Sequence, residues 1–273
     1  MIVNADSAQI YRGLPILSAA PSTAERAKVE HRLYGVRDPA APCSAAEWAK
    51  MAREEIAEIH TEGRLPILVG GTGLYIRTLL DGIAPVPPID AAVRERVRSQ
   101  TVEQNRAELE TCDPEAGARL RSTDKARIAR ALEVAISTGR TLSEWQKQRE
   151  GGIGSDITLK PVILLPPRDW LYARCDERFG RMFESGAVDE VKTLLARRLD
   201  PSLPAIRAIG VREIADYLAG EMTREQAIAA GQQATRNYAK RQYTWFAHQP
   251  PPDWPRFAKM VEGHAMDEAM GLL

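Results

Sequence analysis

Apolar residues form two kinds of pattern in the first 80 residues of the chain. Met1–Asp6 is typical of a short buried strand that ends in a polar turn, and Leu65–Val69 is a continuous apolar run as expected for a second strand. Between them a capping box at Ser44 precedes an apolar stripe at helical spacing that runs from Trp48 to Ile59. A second helix is predicted from about Leu74 to Leu80. Strand, helix, strand and helix in this order predict a parallel sheet covered by helices.

The pattern changes after the prolines at 85, 87 and 88, which indicate a linker. Residues 90–149 are polar with helical spacing and contain no strand candidate. A short apolar run at Val162–Leu165 predicts one more strand, and helices are predicted from Trp170 to the end. The sequence therefore predicts an α/β core formed by residues 1–87 and 151–273, interrupted by a helical insertion domain at 88–150.

The amino-acid composition is typical of a globular protein and gives little information about binding partners. Hydrophobic residues make up 44% and charged residues 27% of the 273 residues, and no apolar run approaches the ~20 residues that span a bilayer. We therefore predict no membrane association. The 37 basic and 37 acidic residues cancel, which weakens a nucleic-acid interpretation without excluding local basic faces. Three cysteines and four histidines are scattered, so neither a disulfide framework nor a metal site is predicted, and a reducing cytoplasm fits.

Two loops at predicted strand ends carry candidate chemistry. Asp6–Tyr11 follows the first strand, and ligands of parallel sheets bind beyond the carboxyl ends of strands. Asp6 is thus placed for chemistry, although capping the turn explains it equally well. Gly70–Gly73 follows the next strand, and its glycines would let backbone approach a ligand beside the Thr72 hydroxyl. A tight turn alone would also use these glycines.

Basic residues cluster in two places. Arg119, Arg121, Lys125, Arg127 and Arg130 fall in what reads as one helical stretch, with only Asp124 opposing them. Further on, the basic and aromatic residues of 236–246 alternate without an acid. Such mixtures suit phosphate contacts and stacking on unpaired bases, although a solvated helix face is as good an explanation of either cluster alone.

Six blocks in order resemble the bacterial tRNA dimethylallyltransferases, also called isopentenyl-diphosphate:tRNA transferases. The resemblance runs from Ile2 to about Phe246, and its order and spacing make it specific. Its blocks are Asp6–Tyr11, His31–Leu33 with Arg37–Pro39, Leu68–Tyr75, Ala126–Val134, Ile206–Arg212 and Thr235–Trp245.

The resemblance implies a fold, a reaction and partners. The implied fold is a P-loop kinase-like α/β parallel sheet core with an inserted all-helical domain. The implied reaction moves a dimethylallyl group from dimethylallyl diphosphate to the exocyclic amine of the adenine 3′ of the anticodon. The tRNA anticodon stem-loop, dimethylallyl diphosphate and Mg²⁺ are the implied partners of a cytoplasmic monomer.

The resemblance also assigns residues. Asp6 aligns with the family's general base and Thr72 with its partner beside the adenine. The positions that align with tRNA-contacting residues are Asp6, Ser7, Ala8, Gln9, Thr72, Arg94, Ala126, Arg127, Ile128, Ala129, Arg130, Arg207, Ala208, Ile209, Gly210, Val211, Arg212, Lys240, Arg241, Gln242, Tyr243, Thr244, Trp245 and Phe246.

One family feature is missing from these 273 residues. The family opens with a strand, a G-x-x-x-x-G-K-S/T phosphate loop and a helix, and no such motif occurs here. We expect a strand–loop–helix unit of roughly 30 residues to be absent. On that expectation the chain by itself is inactive and only marginally stable. Arg174 and Arg178 are the remaining candidates for diphosphate binding.

Two other interpretations stay open on the residues alone. A small-molecule P-loop kinase would share the core and use Arg174 and Arg178 in a lid, but it leaves 207–212 and 236–246 unexplained. A non-catalytic RNA-binding remnant would keep the RNA-facing residues without a phosphate site. Stem-loop binding, phosphoryl transfer and prenyl transfer distinguish the three.

Overall fold

A computed structural model describes residues 1–272, which form two compact units. Unit 1 comprises residues 1–79 together with the chain from Asp156 onward, and unit 2 comprises Leu80–Ser155. The segment 88–150, predicted as a helical insertion, lies inside unit 2.

The elements are short strands and mostly amphipathic helices. The strands are β1 (Ile2–Asn4), β2 (His31–Arg32), β3 (Ile67–Val69), β4 (Ile163–Leu164) and β5 (Arg256–Phe257). The helices are α1 (Thr23–Lys28), α2 (Ala45–Thr61), α3 (Gly73–Asp81), α4 (Ala91–Ser99), α5 (Val102–Cys112), α6 (Pro114–Arg119), α7 (Lys125–Thr138), α8 (Leu142–Gln146), α9 (Arg168–Glu184), α10 (Ala187–Ala196), α11 (Val211–Leu218), α12 (Arg224–His248) and α13 (His264–Met270).

Unit 1 contains two parallel sheets. The first has the order β2-β1-β3, with Ile2 opposite both His31 and Ile67. The second pairs β4 with β5. The predicted α/β class with parallel strands is confirmed. The expectation of helices from Trp170 to the end is wrong at β5, because a two-residue strand has no pattern of its own and exists only through its pairing with β4.

One edge of the first sheet is open and apolar. In the described chain β3 pairs only with β1, and Ile67 and Val69 are 40% and 47% exposed. Strand edges that expose apolar side chains and unpaired backbone groups favour association with other strands. The sequence expectation that this strand lacks a neighbour on one side is consistent with this arrangement.

Trp48 anchors α2 on the sheet. It is fully buried, its indole Nε1 donates to the carbonyl oxygen of Asn4 at 3.0 Å, and its ring stacks on Tyr75 at 4.6 Å. The capping box predicted at Ser44 is present, with Glu47 as its reciprocal partner. Helix α2 is therefore fixed at its start by the cap and along its length by one buried aromatic residue.

Unit 2 has its own helical core. Arg119 ends α6, and Asp124 caps α7 by accepting from the amide of Arg127 at 3.2 Å. The basic stretch expected to be a single helix from Arg119 to Arg130 is therefore two helices separated by a turn, because an Asp at an N-cap starts a new helix. The core side chains of this unit are Val97, Leu109, Ala116, Ile128, Ala131 and Leu132.

Candidate functional site

Asp6 lies in the turn that follows β1, and the turn is built by side chains. The amide of Asp6 donates to Asn4 Oδ1 at 2.8 Å, while Asn4 Nδ2 donates to the carbonyl oxygens of Asp6 and Leu33 at 3.0 Å each. Asp6 Oδ1 accepts from the amides of Ala8 at 2.7 Å and Gln9 at 3.4 Å. The carboxylate thus caps the turn, as one sequence interpretation had it, and is held in one orientation while doing so.

Thr72 meets this turn although it is 65 residues away in sequence from Ser7. The amide of Ser7 donates to Thr72 Oγ1 at 2.9 Å, and the two hydroxyl oxygens are 3.2 Å apart. The amide of Thr72 donates to the carbonyl oxygen of Ala5 at 3.1 Å. Because β1 and β3 are parallel neighbours, their carboxyl ends bring Asp6, Ser7 and Thr72 together.

The Gly-rich loop before α3 is approached closely by a helix. Gln242 Nε2 donates to the carbonyl oxygen of Gly71 at 2.9 Å. A Cβ at Gly71 would overlap the Gln242 amide, and one at Gly73 would overlap the Trp245 ring. At these two positions, therefore, the glycines admit side chains of α12 from the same chain, whereas the sequence had suggested a ligand.

Tyr238 joins the same site and was missed by sequence reasoning. Burial raises the pKa of the Tyr238 phenol, and the nearby Asp6 carboxylate raises it further. Hydrogen bonds with Thr72 and Gln242 act in the opposite direction on that pKa. Tyr238, Gln242 and Trp245 are spaced i, i+4 and i+7 along α12, so helical periodicity was the signal that could have found it.

The predicted RNA-contacting stretch 240–246 divides between two faces of α12. Gln242 and Trp245 point to the Gly-rich loop, as described above. Lys240, Arg241 and Thr244 are exposed. These outward side chains present two positive charges and a hydroxyl to solvent, which suits contacts with a phosphate backbone.

Helix α12 is tied to α9 by an ion pair between Arg236 and Asp176. Both carboxylate oxygens of Asp176 lie within 2.6 Å of Arg236 Nη1. Arg174 and Arg178, the candidate diphosphate ligands, are exposed on α9, and the Arg174 guanidinium lies 5.5 Å from the Trp170 ring. Their role in diphosphate binding stays a prediction.

The stretch 207–212 borders an open groove of unit 1. Arg207 is exposed, and the Arg212 side chain is 87% exposed and 3.8 Å from Asp216. Gly210 precedes α11 with a φ of 96°. The groove has a volume of about 620 Å³ and is lined mainly by apolar residues, among them Leu194, Leu199, Pro201, Ile206, Ile209 and Val211.

In unit 2 the predicted RNA-contacting arginines pair with acids of their own helix. Arg127 lies 3.4 Å from Asp124 and is 77% exposed, and Arg130 lies 4.0 Å from Glu133. The alternative interpretation of this cluster, a solvated helix face without an RNA role, therefore agrees with these ion pairs. Ala126 is exposed, Ala129 is partly buried, and Ile128 belongs to the core, so that its side chain is unavailable to RNA.

The arginines of this face nevertheless outnumber its acids. Glu133 is buried and pairs with Arg98 at 3.1 Å as well as with Arg130. The pKa of Arg130 is lowered mainly by burial, and the charges of Arg94 and Arg98 lower it further. Two guanidinium groups, those of Arg98 and Arg130, thus pair with the buried Glu133 carboxylate, and Arg98 was not among the contacts predicted from the sequence.

Two kinds of feature are absent from the described residues. No group of three or more His, Cys, Asp or Glu side chains in residues 1–272 is arranged to hold a metal ion. Over the same range, every helix falls short of the length and apolar character needed for a membrane span.

Comparison with known proteins decides the family. The IPP transferase family matches residues 9–249. The chain belongs to this family. The tRNA dimethylallyltransferase of Erythrobacter litoralis is 64% identical over 256 residues, which cover 94% of this chain and 81% of that protein. The tRNA dimethylallyltransferase of Novosphingobium aromaticivorans is 62% identical over 94% of this chain and 91% of that protein.

Solved structures agree with the IPP transferase assignment. The full-length tRNA isopentenylpyrophosphate transferase of Bacillus halodurans has a TM-score of 0.68 and 31% identity, covering 99% of this chain and 86% of that one. A eukaryotic dimethylallyltransferase described as acting on tRNA has a TM-score of 0.75 and 25% identity, covering 89% of this chain and 62% of that one. The fold class and family predicted from the sequence are confirmed.

Proposed function

We propose that this IPP transferase family member is a tRNA dimethylallyltransferase that modifies the exocyclic amine of the adenine 3′ of the anticodon. One observation supports the proposal most strongly: Asp6, Ser7 and Thr72 lie together at the carboxyl ends of β1 and β3, and Tyr238 lies beside them. Relatives covering most of this chain bear that name, which disfavours the kinase interpretation.

Asp6 is the proposed general base. An adenine amine is a weak nucleophile because its lone pair is delocalised into the ring. As that nitrogen attacks the allylic carbon, a new C–N bond forms and the C–O bond to diphosphate breaks. The bonding electrons leave with the diphosphate, and Asp6 accepts the proton from the amine. Backbone amides that bind Asp6 Oδ1 hold the carboxylate in place for this transfer.

Thr72 is proposed to position the adenine. Its hydroxyl is already oriented by the Ser7 amide and lies against the turn that contains Asp6. A hydroxyl fixed in this way can bind a base edge without losing much conformational freedom. To reach these groups the adenine must leave the anticodon-loop stack, as for other enzymes that act on a base.

The RNA backbone is proposed to contact the exposed cations. In unit 1 these are Arg207 and Arg212 beside the groove and Lys240 and Arg241 on α12. In unit 2 they are Arg94, Arg127 and Arg130, together with the newly recognised Arg98. Contacts of this kind set the register of the RNA and carry most of the salt dependence of binding. A cytoplasmic, monomeric protein is the expectation that accompanies a tRNA substrate, and both properties stay predictions.

The described residues do not by themselves fit a Mg²⁺ site. Mg²⁺ takes carboxylate, water and phosphate oxygens, and the turn offers one carboxylate, Asp6, whose Oδ1 already accepts from backbone amides. No metal-ligating cluster occurs in residues 1–272. We therefore assign no step to the metal, and its involvement with the diphosphate stays a family expectation.

The test is the substitution Asp6→Asn. An Asn side chain can still accept from the Ala8 amide and cap the turn, but it cannot take a proton, so the variant separates the two interpretations of Asp6. Because the 273-residue chain is expected to bind diphosphate poorly, the assay uses the chain preceded by a family-type strand, phosphate loop and helix. We expect the rate of prenyl transfer to fall ~10²–10⁴-fold with stem-loop affinity near that of the parent.

Asp200→Asn is the matched control. Asp200 is an exposed carboxylate that caps a different turn of unit 1 by accepting from the Ser202 amide at 2.7 Å. Its substitution is expected to leave the rate unchanged. Turnover of Asp6→Asn within a factor of a few of the parent would show that Asp6 is only a cap.

A further inference from the structure

A loop between the Asp6 turn and α1 contacts two parts of the proposed site, the Asp6 turn and the stretch 207–212. It comprises residues 13–20 and is called here the latch segment. We propose that Glu190 of α10 is a positioning residue for prenyl transfer, holding the latch segment between the Asp6 turn and the stretch 207–212. The expected effect on prenyl transfer rests on the proposed function. The expected effect on the latch segment rests on the hydrogen bonds described below.

Glu190 binds the latch segment with both carboxylate oxygens. Oε1 accepts from the amide of Ile16 at 2.7 Å, and Oε2 accepts from the amide of Leu17 at 3.0 Å, across more than 170 positions of sequence. Burial raises the pKa of this half-buried carboxyl group, while its two amide bonds act against that rise. Within residues 1–272 no Lys or Arg forms an ion pair with it, so the amides are its identified partners.

The other end of the latch segment is held by a residue of the proposed RNA contact. Gln9 Nε2 donates to the carbonyl oxygens of Ser18 and Ala19, both at 3.0 Å. Ala19 has a φ of +52°, in the left-handed region that a residue with a Cβ seldom adopts. A conformation of this kind persists only where surrounding bonds impose it. Gln9 also donates its own amide to Asp6 Oδ1, which links the segment to the proposed base.

The middle of the latch segment packs against the second RNA-contacting stretch. A Cβ at Gly210 would lie 2.6 Å from Leu17 Cδ2, so Leu17 sits directly on that glycine. Likewise, a Cβ at Gly186, just before α10, would lie 3.2 Å from Ile16 Cδ1. Adjacent residues whose amides bind Glu190 therefore use their side chains to contact Gly186 and Gly210. Releasing the amides would loosen the Asp6 turn and the 207–212 stretch together.

The substitution Glu190→Gln tests this arrangement with little change of shape. Glutamine has one acceptor oxygen, and its amino group would face a backbone donor, so one of the two amides loses its partner. Asp189→Asn is the matched control, since Asp189 is the preceding residue of the same helix and its side chain is exposed. Three measurements are made on each variant. They are amide hydrogen exchange at Ile16 and Leu17, the melting temperature, and steady-state kinetics (kcat and KM for tRNA) in the form with a phosphate loop.

In Glu190→Gln we expect exchange at Ile16 and Leu17 to be about tenfold faster, as for loss of one buried hydrogen bond. We expect kcat to fall by about tenfold or more, because small misplacements of reacting groups are costly. The melting temperature should stay within a few degrees of the parent. Glu190→Asp keeps two oxygens on a shorter side chain and should recover part of kcat. Asp189→Asn should match the parent in all three measurements.

Two results would overturn the proposal. Unchanged exchange at Ile16 and Leu17 would show that Glu190 does not hold the segment. Faster exchange with parental kcat would show that the segment does not position the site. If Glu190→Gln fails to fold, the same two criteria apply to Glu190→Asp. Failure of the proposed function is separate, because it appears as parental turnover in Asp6→Asn and leaves the exchange measurement unaffected.

Discussion

At the scale of single residues, Asp6 combines a structural and a proposed chemical role. Its carboxylate closes the turn after β1, and the same bonds orient it beside Thr72. A general base must be held in one position to accept a proton efficiently, so the capping bonds support the proposed chemistry. Tyr238 extends this set, since its phenol is half-buried between Thr72, Gln242 and the Asp6 charge.

We therefore expect Tyr238→Phe to slow prenyl transfer by about tenfold, the effect of one hydrogen bond worth ~1.4 kcal/mol. The substitution removes the phenol oxygen beside Thr72 and Gln242 and keeps the ring. Stem-loop affinity should be close to that of the parent, because the outward face of α12 is unchanged. Single-turnover kinetics and a binding titration check both statements.

The control for that variant is Tyr217→Phe. Tyr217 lies on α11 with its ring 6.2 Å from that of Phe183. It is expected to leave the rate unaffected. Equal rates for Tyr238→Phe and the parent would remove Tyr238 from the site.

At the scale of elements, helices present different faces to the core and to RNA. In α12 the residues at Gln242 and Trp245 pack on the Gly-rich loop, while Lys240 and Arg241 face solvent. In α7 the apolar side of Ile128 and Leu132 builds the core of unit 2, and arginines occupy the opposite side. A contiguous run of predicted RNA contacts on a helix therefore consists of two kinds of residue: those that pack inside the protein and those that face solvent. The two kinds alternate with the period of the helix.

We expect the double substitution Arg127→Ala and Arg130→Ala to weaken stem-loop binding. For every phosphate that is no longer neutralised, the magnitude of the log–log salt slope should decrease by about 0.7–0.9. The measurement is a set of binding titrations over a range of salt concentrations, with the melting temperature recorded because Glu133 loses a partner. Arg96→Ala is the control, since Arg96 pairs with Glu108 at 3.0 Å and not with Glu133, the partner of Arg98 and Arg130. An unaltered slope and affinity would leave only the salt-bridged interpretation.

At the scale of the whole molecule, the strands of unit 1 form two small sheets, with β3 at an open edge of the first. The chain contains no G-x-x-x-x-G-K-S/T sequence, whose amides and Lys bind phosphates in P-loop proteins. Arg174 and Arg178 are exposed and supply charge without a preorganised cradle. Binding of RNA and binding of diphosphate are thus expected to depend on different parts of the protein.

The prediction at this scale compares the 273-residue chain with one that carries a family-type strand, phosphate loop and helix ahead of it. The shorter chain should bind the anticodon stem-loop but transfer the prenyl group at least ~10²-fold more slowly, because several diphosphate donors are lacking. It should also melt at a lower temperature, since the apolar edge at Ile67 and Val69 stays exposed. Calorimetry and a prenyl-transfer assay test this, and similar values for both chains would contradict it.

The sequence by itself determined the local structure and the family. Capping boxes and apolar stripes depend on residues within a few positions of each other, so the cap at Ser44 and the stripe of α2 could be predicted directly. Six ordered blocks determined the family and hence Asp6 and Thr72 as candidates. The short strand β5 was not predicted, because two residues have no local pattern. The stretch from Arg119 to Arg130 was predicted as one helical stretch, whereas Asp124 starts a new helix within it.

Only the tertiary structure decided what surrounds those candidates. Arg98 and Glu190 reach their partners across 35 and 174 positions of sequence, and no local pattern encodes such a distance. Helical spacing indicates that Tyr238 shares a face with Gln242 and Trp245, but not that this face lies near Asp6. The Gly-rich loop shows the same limit, because Gly71 and Gly73 leave room for side chains of α12, and Gly70 leaves room for the backbone of Ala5. Local patterns reflect interactions between residues that are close in sequence. A site is formed by parallel strand ends and helix faces, which meet only after folding.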